Sequence, residues 1–288
     1  TMQKNGQRDF NYTNSSIADG SYTVRFYVND TAGNFNRTAR RAFTVDTTNP
    51  ALTFVSPTES SGVYRNRNYI EVNVTATDTN LANITIRLYN GSHFLNQTNL
   101  STTSPLYINY SSLTEGVYFY NATATDTVNN LNNSATRNIT LDRTNPSAQF
   151  VSPTSANGTT ITAVRNILIN VTATDTNLAN ITINLYNSSF ALLNSTLTTS
   201  SPNFVNISVA SDGTYFYNAT AIDLALNAND TETRAIIVNT DITPPKISIV
   251  YPQNTTYNVN VSQLNYTVSG DAQACWYTLN SGTTNTTI

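Results

Sequence analysis

The stretch VTATDTNLANITI occupies residues 74–86 and recurs, letter for letter, at residues 171–183. In the first copy Val74 and Ala76 alternate with Thr75, and the pattern runs back through Ile70 and Val72, with Glu71 and Asn73 between them. Apolar residues at every second position mark a strand with one buried face, because successive side chains leave a pleated backbone on opposite sides. Asp78-Thr79-Asn80 interrupts the alternation with turn-forming residues, and ANITI resumes it. The stretch predicts strand, turn, strand, read as one hairpin. Its repetition predicts a chain built from copies of one unit.

Other words recur in the same phase. D-x-T-x-P stands at 46–50, 142–146 and 241–245, and FVSPT at 54–58 and 150–154 with IVYPQ at 249–253. YFYNATA occurs at 118–124 and 215–221. The spacing is roughly 96 residues, the size of one immunoglobulin-like sandwich. One period holds about seven alternating runs: ALTFVSP, YIEVNVTATD, ANITIRLYN, FLNQTN, PLYINYSSL, GVYFYNATATD and SATRNITLD. The fold class is therefore all-β, tandem immunoglobulin-like β-sandwiches of about seven strands in a linear array. The domains fall at 47–142 and 143–241. Residues 1–46 match only the C-terminal half of such a module, and 242–288 only the N-terminal half. Two readings follow: a piece of a longer array, or half-modules that complement each other head-to-tail between copies by strand addition.

Composition narrows the function classes. Charged residues make up 11% of the chain, well below the usual quarter or so. Net charge is −3 and pI about 5.0, which argues against a nucleic-acid partner, since phosphate binding needs clustered Lys and Arg. Arg37, Arg40 and Arg41 read as a solvated strand end. No run approaches the roughly 18 apolar residues of a membrane span.

No catalytic constellation is legible, and the expectation is a non-enzymatic protein. The single histidine, His93, lies in a turn and reads as solvated. The single cysteine, Cys275, reads as a buried thiol or as half of a disulfide whose partner lies elsewhere. The loudest signal is N-x-S/T, the N-glycosylation acceptor. It falls at Asn11, Asn14, Asn29, Asn36, Asn73, Asn83, Asn90, Asn96, Asn99, Asn109, Asn121, Asn132 and Asn138. It continues at Asn157, Asn170, Asn180, Asn187, Asn194, Asn206, Asn218, Asn229, Asn254, Asn260, Asn265 and Asn285. Asn73, Asn83, Asn121 and Asn138 alternate out of phase with the core positions of their strands, as do Asn170, Asn180 and Asn218. The parity predicts that they face solvent and carry N-linked glycans.

The aspartates form a second pattern. In a sandwich of alternating strands, the loop after the second strand, the loop after the sixth and the incoming linker share one end. That rule gathers Asp46, Asp78 and Asp126 in one group, and Asp142, Asp175 and Asp223 in another. Asp241 and Asp271 would begin a third. Two chemistries fit: each aspartate caps its own turn, or the carboxylates hold a calcium ion through oxygen ligands.

These residues resemble a known family. D-x-T-x-P at the junctions, G-x-Y-x-Y-x-A-x-A-x-D into the last hairpin and D-T-A-G-N at 30–34 are similar to tandem bacterial and archaeal Ig-like modules. Such modules occur in large surface adhesins, stalks and S-layer-associated proteins. The resemblance implies an extracellular, cell-surface location, and its sequon density is similar to archaeal surface glycoproteins. It also implies calcium at junction aspartates, although D-T-V-N-N and D-L-A-L-N depart from D-x-A-G-N. The expected function is structural: a glycan-coated rod, stalk or filament subunit whose partners are neighbouring copies. The alternatives are an adhesin that binds glycans or neighbouring cells, and an S-layer component.

Overall fold

Period-two patterning becomes strand along the whole chain. The computed structural model describes residues 3–5, 9–241, 243–270, 272–279, 282, 284 and 286–287, with side chains from residue 12 onward. Every regular element among the described residues is β, and none of them forms a helix that could cross a membrane.

Residues 1–46 carry β1 (Gln3–Asn5), β2 (Asp9–Asn11), β3 (Gly20–Val24), β4 (Tyr27–Asn29), β5 (Phe35–Arg37) and β6 (Arg41–Val45). They pair as β1–β2, β3–β6 and β4–β5, all antiparallel. The next sandwich holds β7 (Ala51–Val55), β8 (Val63–Arg65), β9 (Ile70–Thr77), β10 (Leu81–Asn90) and β11 (Leu95–Ser101). It continues with β12 (Leu106–Tyr110), β13 (Gly116–Asp126), β14 (Leu131–Asn133) and β15 (Arg137–Leu141). Its sheets are β12-β9-β7 and β11-β10-β13-β15-β8, with β14 beside β13.

The second sandwich repeats the plan. It runs from β16 (Ser147–Phe150), β17 (Thr159–Ile161), β18 (Asn166–Thr174) and β19 (Leu178–Tyr186) to β20 (Leu192–Thr198). Then come β21 (Asn203–Ser208), β22 (Gly213–Asp223), β23 (Ala228–Asp230) and β24 (Arg234–Val238). Its sheets are β16-β18-β21 and β17-β24-β22-β19-β20, with β23 beside β22. The last segment holds β25 (Lys246–Tyr251), β26 (Asn265–Ser269), β27 (Trp276–Tyr277) and β28 (Thr286–Thr287). Contacts divide the chain into two compact units. One is Thr1–Pro146 with Asp175–Ala179 and Ile222–Ala228; the other is Ser147–Thr174, Asn180–Ala221 and Asn229–Ile288.

Two expectations need correction. The quoted stretch is not a hairpin: β9 and β10 lie in different sheets, so the D-T-N turn carries the chain across the sandwich. Alternation reveals a buried face but not the sheet to which it belongs. Each sandwich also has nine strands rather than about seven. Two three-residue strands lie outside the seven runs: β8, which pairs parallel to β15 after β7 has paired antiparallel to β9, and β14, which pairs antiparallel to β13. Pro57 has no N–H to offer a ladder, so the chain leaves the first sheet at FVSPT and joins the second.

Ile70, Val72 and Val74 from one sheet meet Ile84, Ile86, Leu88, Tyr120, Ala122 and Ala124 from the other in one buried cluster. Each buried Ile, Val or Leu side chain contributes about 1.5–3 kcal/mol by leaving water. Tyrosine hydroxyls leave this core through backbone carbonyls. Tyr118 donates to Thr114 O (3.1 Å), Tyr215 to Ser211 O (2.8 Å) and Tyr22 to Ala18 O (2.8 Å), a corner that pins the start of each penultimate strand. Tyr120 and Arg137 share Glu59 O, and Tyr217 and Arg234 share Ser155 O.

Candidate functional site

Both predicted aspartate groups converge. Asp46, Asp78 and Asp126 each place a carboxylate oxygen within 4.8 Å of the others, and Asp142, Asp175 and Asp223 do the same. Both groups lie inside one compact unit. Asp126 is 2% exposed, Asp142 7% and Asp223 0%. Asp78 and Asp175 are half-buried.

Each group is built by the strand ends that supply it. Asp78 follows β9 and accepts the Asn80 N–H (2.7 Å), while the Asn80 amide donates to Asp46 Oδ2 (2.8 Å). Asp126 ends β13, and its Oδ1 accepts the N–H groups of Val128 (2.9 Å) and Asn130 (2.8 Å). Its Oδ2 accepts Asn130 Nδ2 (2.7 Å), which also reaches the Asp46 carbonyl (3.0 Å). The second group copies this. Asn177 bonds Asp175 Oδ1 and Asp142 Oδ2, both at 2.6 Å. Asn227 bonds Asp223 Oδ1 and Oδ2, and the Asp142 carbonyl.

Asp46 and Asp142 accept the N–H groups of Thr48 (3.2 Å) and Thr144 (3.1 Å), so turn-cap chemistry is present at all six grouped aspartates. Burial pushes the Asp126 carboxyl up, but the hydrogen bonds from the Asn130 side chain and the backbone of 128–130 outweigh it and hold the group below its ordinary value. It stays an anion. Carboxylate oxygens gathered this closely repel one another when charged, and amide donors offset part of that. The donor set is all oxygen, carboxylates with the Asp46 or Asp142 carbonyl nearby, which fits a hard divalent cation such as calcium. Asp241 caps its own turn through the Thr243 N–H (2.9 Å). Asp271 lies outside the described residues.

The departures from D-x-A-G-N leave its geometry intact. Asp30 accepts the N–H groups of Ala32 and Asn34 and the Asn34 amide, the pattern of Asp126 with Asn130 and Asp223 with Asn227. The position before the asparagine has φ +84° at Gly33, +71° at Asn129 and +70° at Leu226. Aspartate and asparagine four residues apart are the element that matters, and the glycine is replaceable.

Sequence reasoning missed the acid that precedes the glycine of each penultimate strand. Asp19 accepts the N–H and hydroxyl of Thr47 and the Thr48 hydroxyl. Glu115 accepts the Arg143 N–H and Thr144 hydroxyl, and Asp212 the N–H and hydroxyl of Thr240. Each clamps the start of the linker that leaves its module. The signal was an acid at the same repeat position three times.

Among the described sequons none has a buried asparagine. Asn14, Asn29, Asn36, Asn90, Asn96, Asn109, Asn157, Asn194, Asn206, Asn229, Asn254, Asn260 and Asn265 are exposed. Asn73, Asn83, Asn99, Asn121, Asn132, Asn138, Asn170, Asn180, Asn187 and Asn218 are half-buried. Asn285 and the Asn11 side chain lie outside the described residues. The seven parity asparagines lie out of phase with the core but do not stand clear in solvent: all are half-buried, the Oδ1 atoms of Asn73, Asn121, Asn170 and Asn180 are buried, and several amides are tied down. Asn73 donates to Ser56 O (2.9 Å), Asn170 to Ser152 O (2.8 Å) and Asn132 to Pro50 O (3.0 Å). His93 is exposed yet not simply solvated: its ring stacks on Phe119 at 4.1 Å, as its counterpart Phe190 stacks on Phe216 at 4.3 Å. Cys275 is a free, half-buried thiol rather than a buried one.

With this geometry in place the comparisons are informative. Residues 1–47 match the family described as Bacterial Ig-like domain, and residues 102–186 match Bacterial Ig-like domain (group 3). Tandem Ig-like modules make up this chain. Among solved structures, the fibronectin(III)-like modules of Clostridium thermocellum CbhA align at 16% identity over 66% of this chain and 94% of theirs, with a TM-score of 0.38. Titin domains A168–A170 align at 12% identity over 76% and 74%, TM-score 0.42. A marsupial T cell receptor aligns at 10% over 71% and 78%, TM-score 0.43. No curated protein matches the chain.

Proposed function

We propose that this chain is part of a structural glycoprotein on the outside of a prokaryotic, archaeal-type cell, where its Ig-like modules act as a spacer, stalk or filament. The observation that carries the reading is the duplication of the modules down to surface detail. Strand order, aspartate groups, tyrosine corners and stacked turn aromatics are copied from one sandwich to the next. A binding protein needs a surface that one module has and its sister lacks; a spacer needs only the copy. A surface that keeps its sequons out of the core and carries few charges supports an extracellular, N-glycosylated setting. Protease shaving of intact cells tests the location. Release of peptides from residues 47–241 is expected; their recovery only after lysis contradicts the reading.

Two further parts belong to this proposal. The aspartate groups bind calcium, which relieves carboxylate repulsion and fixes the loops at that end of the sandwich. Neighbouring copies are the partners. The exposed Ile247, Ile249 and Trp276 of the last segment and Phe26, Tyr27 and Phe35 of the first are apolar surface of the kind that complementary strands cover. Sedimentation over a range of concentrations tests this, with loss of association expected on changing Ile249 and Trp276 to Ser.

A further inference from the structure

Two edge strands of each sandwich share a composition that soluble proteins avoid. β11 reads LNQTNLS, β12 LYINY, β20 LLNSTLT and β21 NFVNIS, without a charged residue or a proline. All four end the sheets in which they lie. A free edge offers unpaired N–H and C=O groups to any other strand, and proteins block that with Lys, Pro, bulges or extreme shortness. The far edges β8 and β17 use shortness, at three residues each. The remaining edges, β7 and β16, are five and four residues long and carry no sequon. β11 and β20 also expose Leu95, Leu100, Leu192 and Leu197. β11 and β20 each have one register shift near their start, opposite Tyr89 and Tyr186, and are regular beyond it, while β12 and β21 have none. The regular, uncharged part of each edge stays open to pairing with another strand.

Each of the four strands instead carries one exposed sequon asparagine, Asn96, Asn109, Asn194 or Asn206, and β11 adds the half-buried Asn99. Asn194 Oδ1 accepts the hydroxyl of Thr196 from its own sequon (3.0 Å), which leaves Nδ2 pointing to no protein acceptor. Sequons on interior strands differ. Asn73 and Asn170 are half-buried, and their Nδ2 groups hold Ser56 O and Ser152 O. A sugar there would displace a bond that anchors the sheet-switching turn.

We propose that N-glycans on Asn96, Asn109, Asn194 and Asn206 cap the sheet edges, the hydrated sugar standing where other proteins put charge. The inference rests on the extracellular glycoprotein reading. The donor is a lipid-phosphate-linked oligosaccharide. Asparagine Nδ2 bonds to the sugar C1, the C1–O bond to phosphate breaks, one amide proton leaves, and the lipid phosphate departs.

Glycopeptide mass spectrometry on the protein from its source cells tests occupancy. Sugar is expected on all four edge asparagines, with Asn73 and Asn170 bare. Two variants test the role: Asn→Gln at all four positions, and Asn→Lys at the same four. The Gln form is expected to shift to larger species in sedimentation with an unchanged melting temperature, and the Lys form to sediment as the parent. Bare edges with sugar on other sequons overturn this inference alone, and so does a Gln form that associates no more than the parent. A protein without sugar at any sequon overturns the glycoprotein reading as well.

Discussion

Leu226 holds a backbone conformation that L-residues with branched side chains avoid: φ is +70°, and the side chain is 80% exposed. The left-handed conformation costs a non-glycine residue about 1–2 kcal/mol, and glycine's own unfolded-state entropy returns part of that gain. Leu226→Gly should therefore raise stability by about 0.5–1 kcal/mol in urea unfolding, since little apolar burial is lost. A second residue-level test contrasts two tyrosines of one sandwich. The Tyr118 hydroxyl holds Thr114 O, whereas the buried Tyr110 hydroxyl has no protein partner and burial pushes its pKa up to about 12. Tyr118→Phe should cost about 1 kcal/mol, and Tyr110→Phe should be neutral or stabilising by a similar amount. The sister sandwich has Ile207 at the Tyr110 position, so the core there does not require the hydroxyl.

Strands were legible wherever one face is buried and the other is not. Ile70, Val72, Val74 and Ala76 are buried, and GVYFYNATATD became β13 with the expected bounds. The short β8 and β14 were illegible, because three residues show no period. Sheet membership was illegible too, since the alternation of β9 and β10 is the same whether they pair with each other or face across a core. The aspartate groups could be anticipated because connectivity alone brings three loop ends together. The asparagines that bridge them went unread, although they recur two and four residues after their aspartates in both copies. The linker clamps give a pH prediction at this scale. The Asp19 carboxyl is held below its ordinary value by the Thr48 hydroxyl first and then Thr47; Asp212 is lowered first by Arg165 and then by Thr240. A lowered folded pKa contributes stability that is fully present above the unfolded value of about 4 and is lost as pH falls through the folded one. Unfolding midpoints should drop on the acid side below about pH 4, and Asp212→Asn should flatten that limb. An acid limb as steep in the variant as in the parent would show that the clamp does not contribute.

At the scale of the whole molecule, the Ig-like modules are repeated parts, and the proposal gives them a repeated task outside the cell. Calcium is one of its testable components. A chelator should lower the melting temperature of the native protein, and Asp78→Asn with Asp175→Asn should remove that sensitivity. If the paired carboxylates bind no cation, the same substitutions should raise the melting temperature by relieving repulsion, and chelator should have no effect. Location decides more than either outcome. Immunogold electron cryomicroscopy of intact source cells, with antibodies against residues 47–241, puts the central claim to the test. The account predicts gold along material outside the envelope without permeabilisation. Gold that appears only after the cells are opened would contradict it.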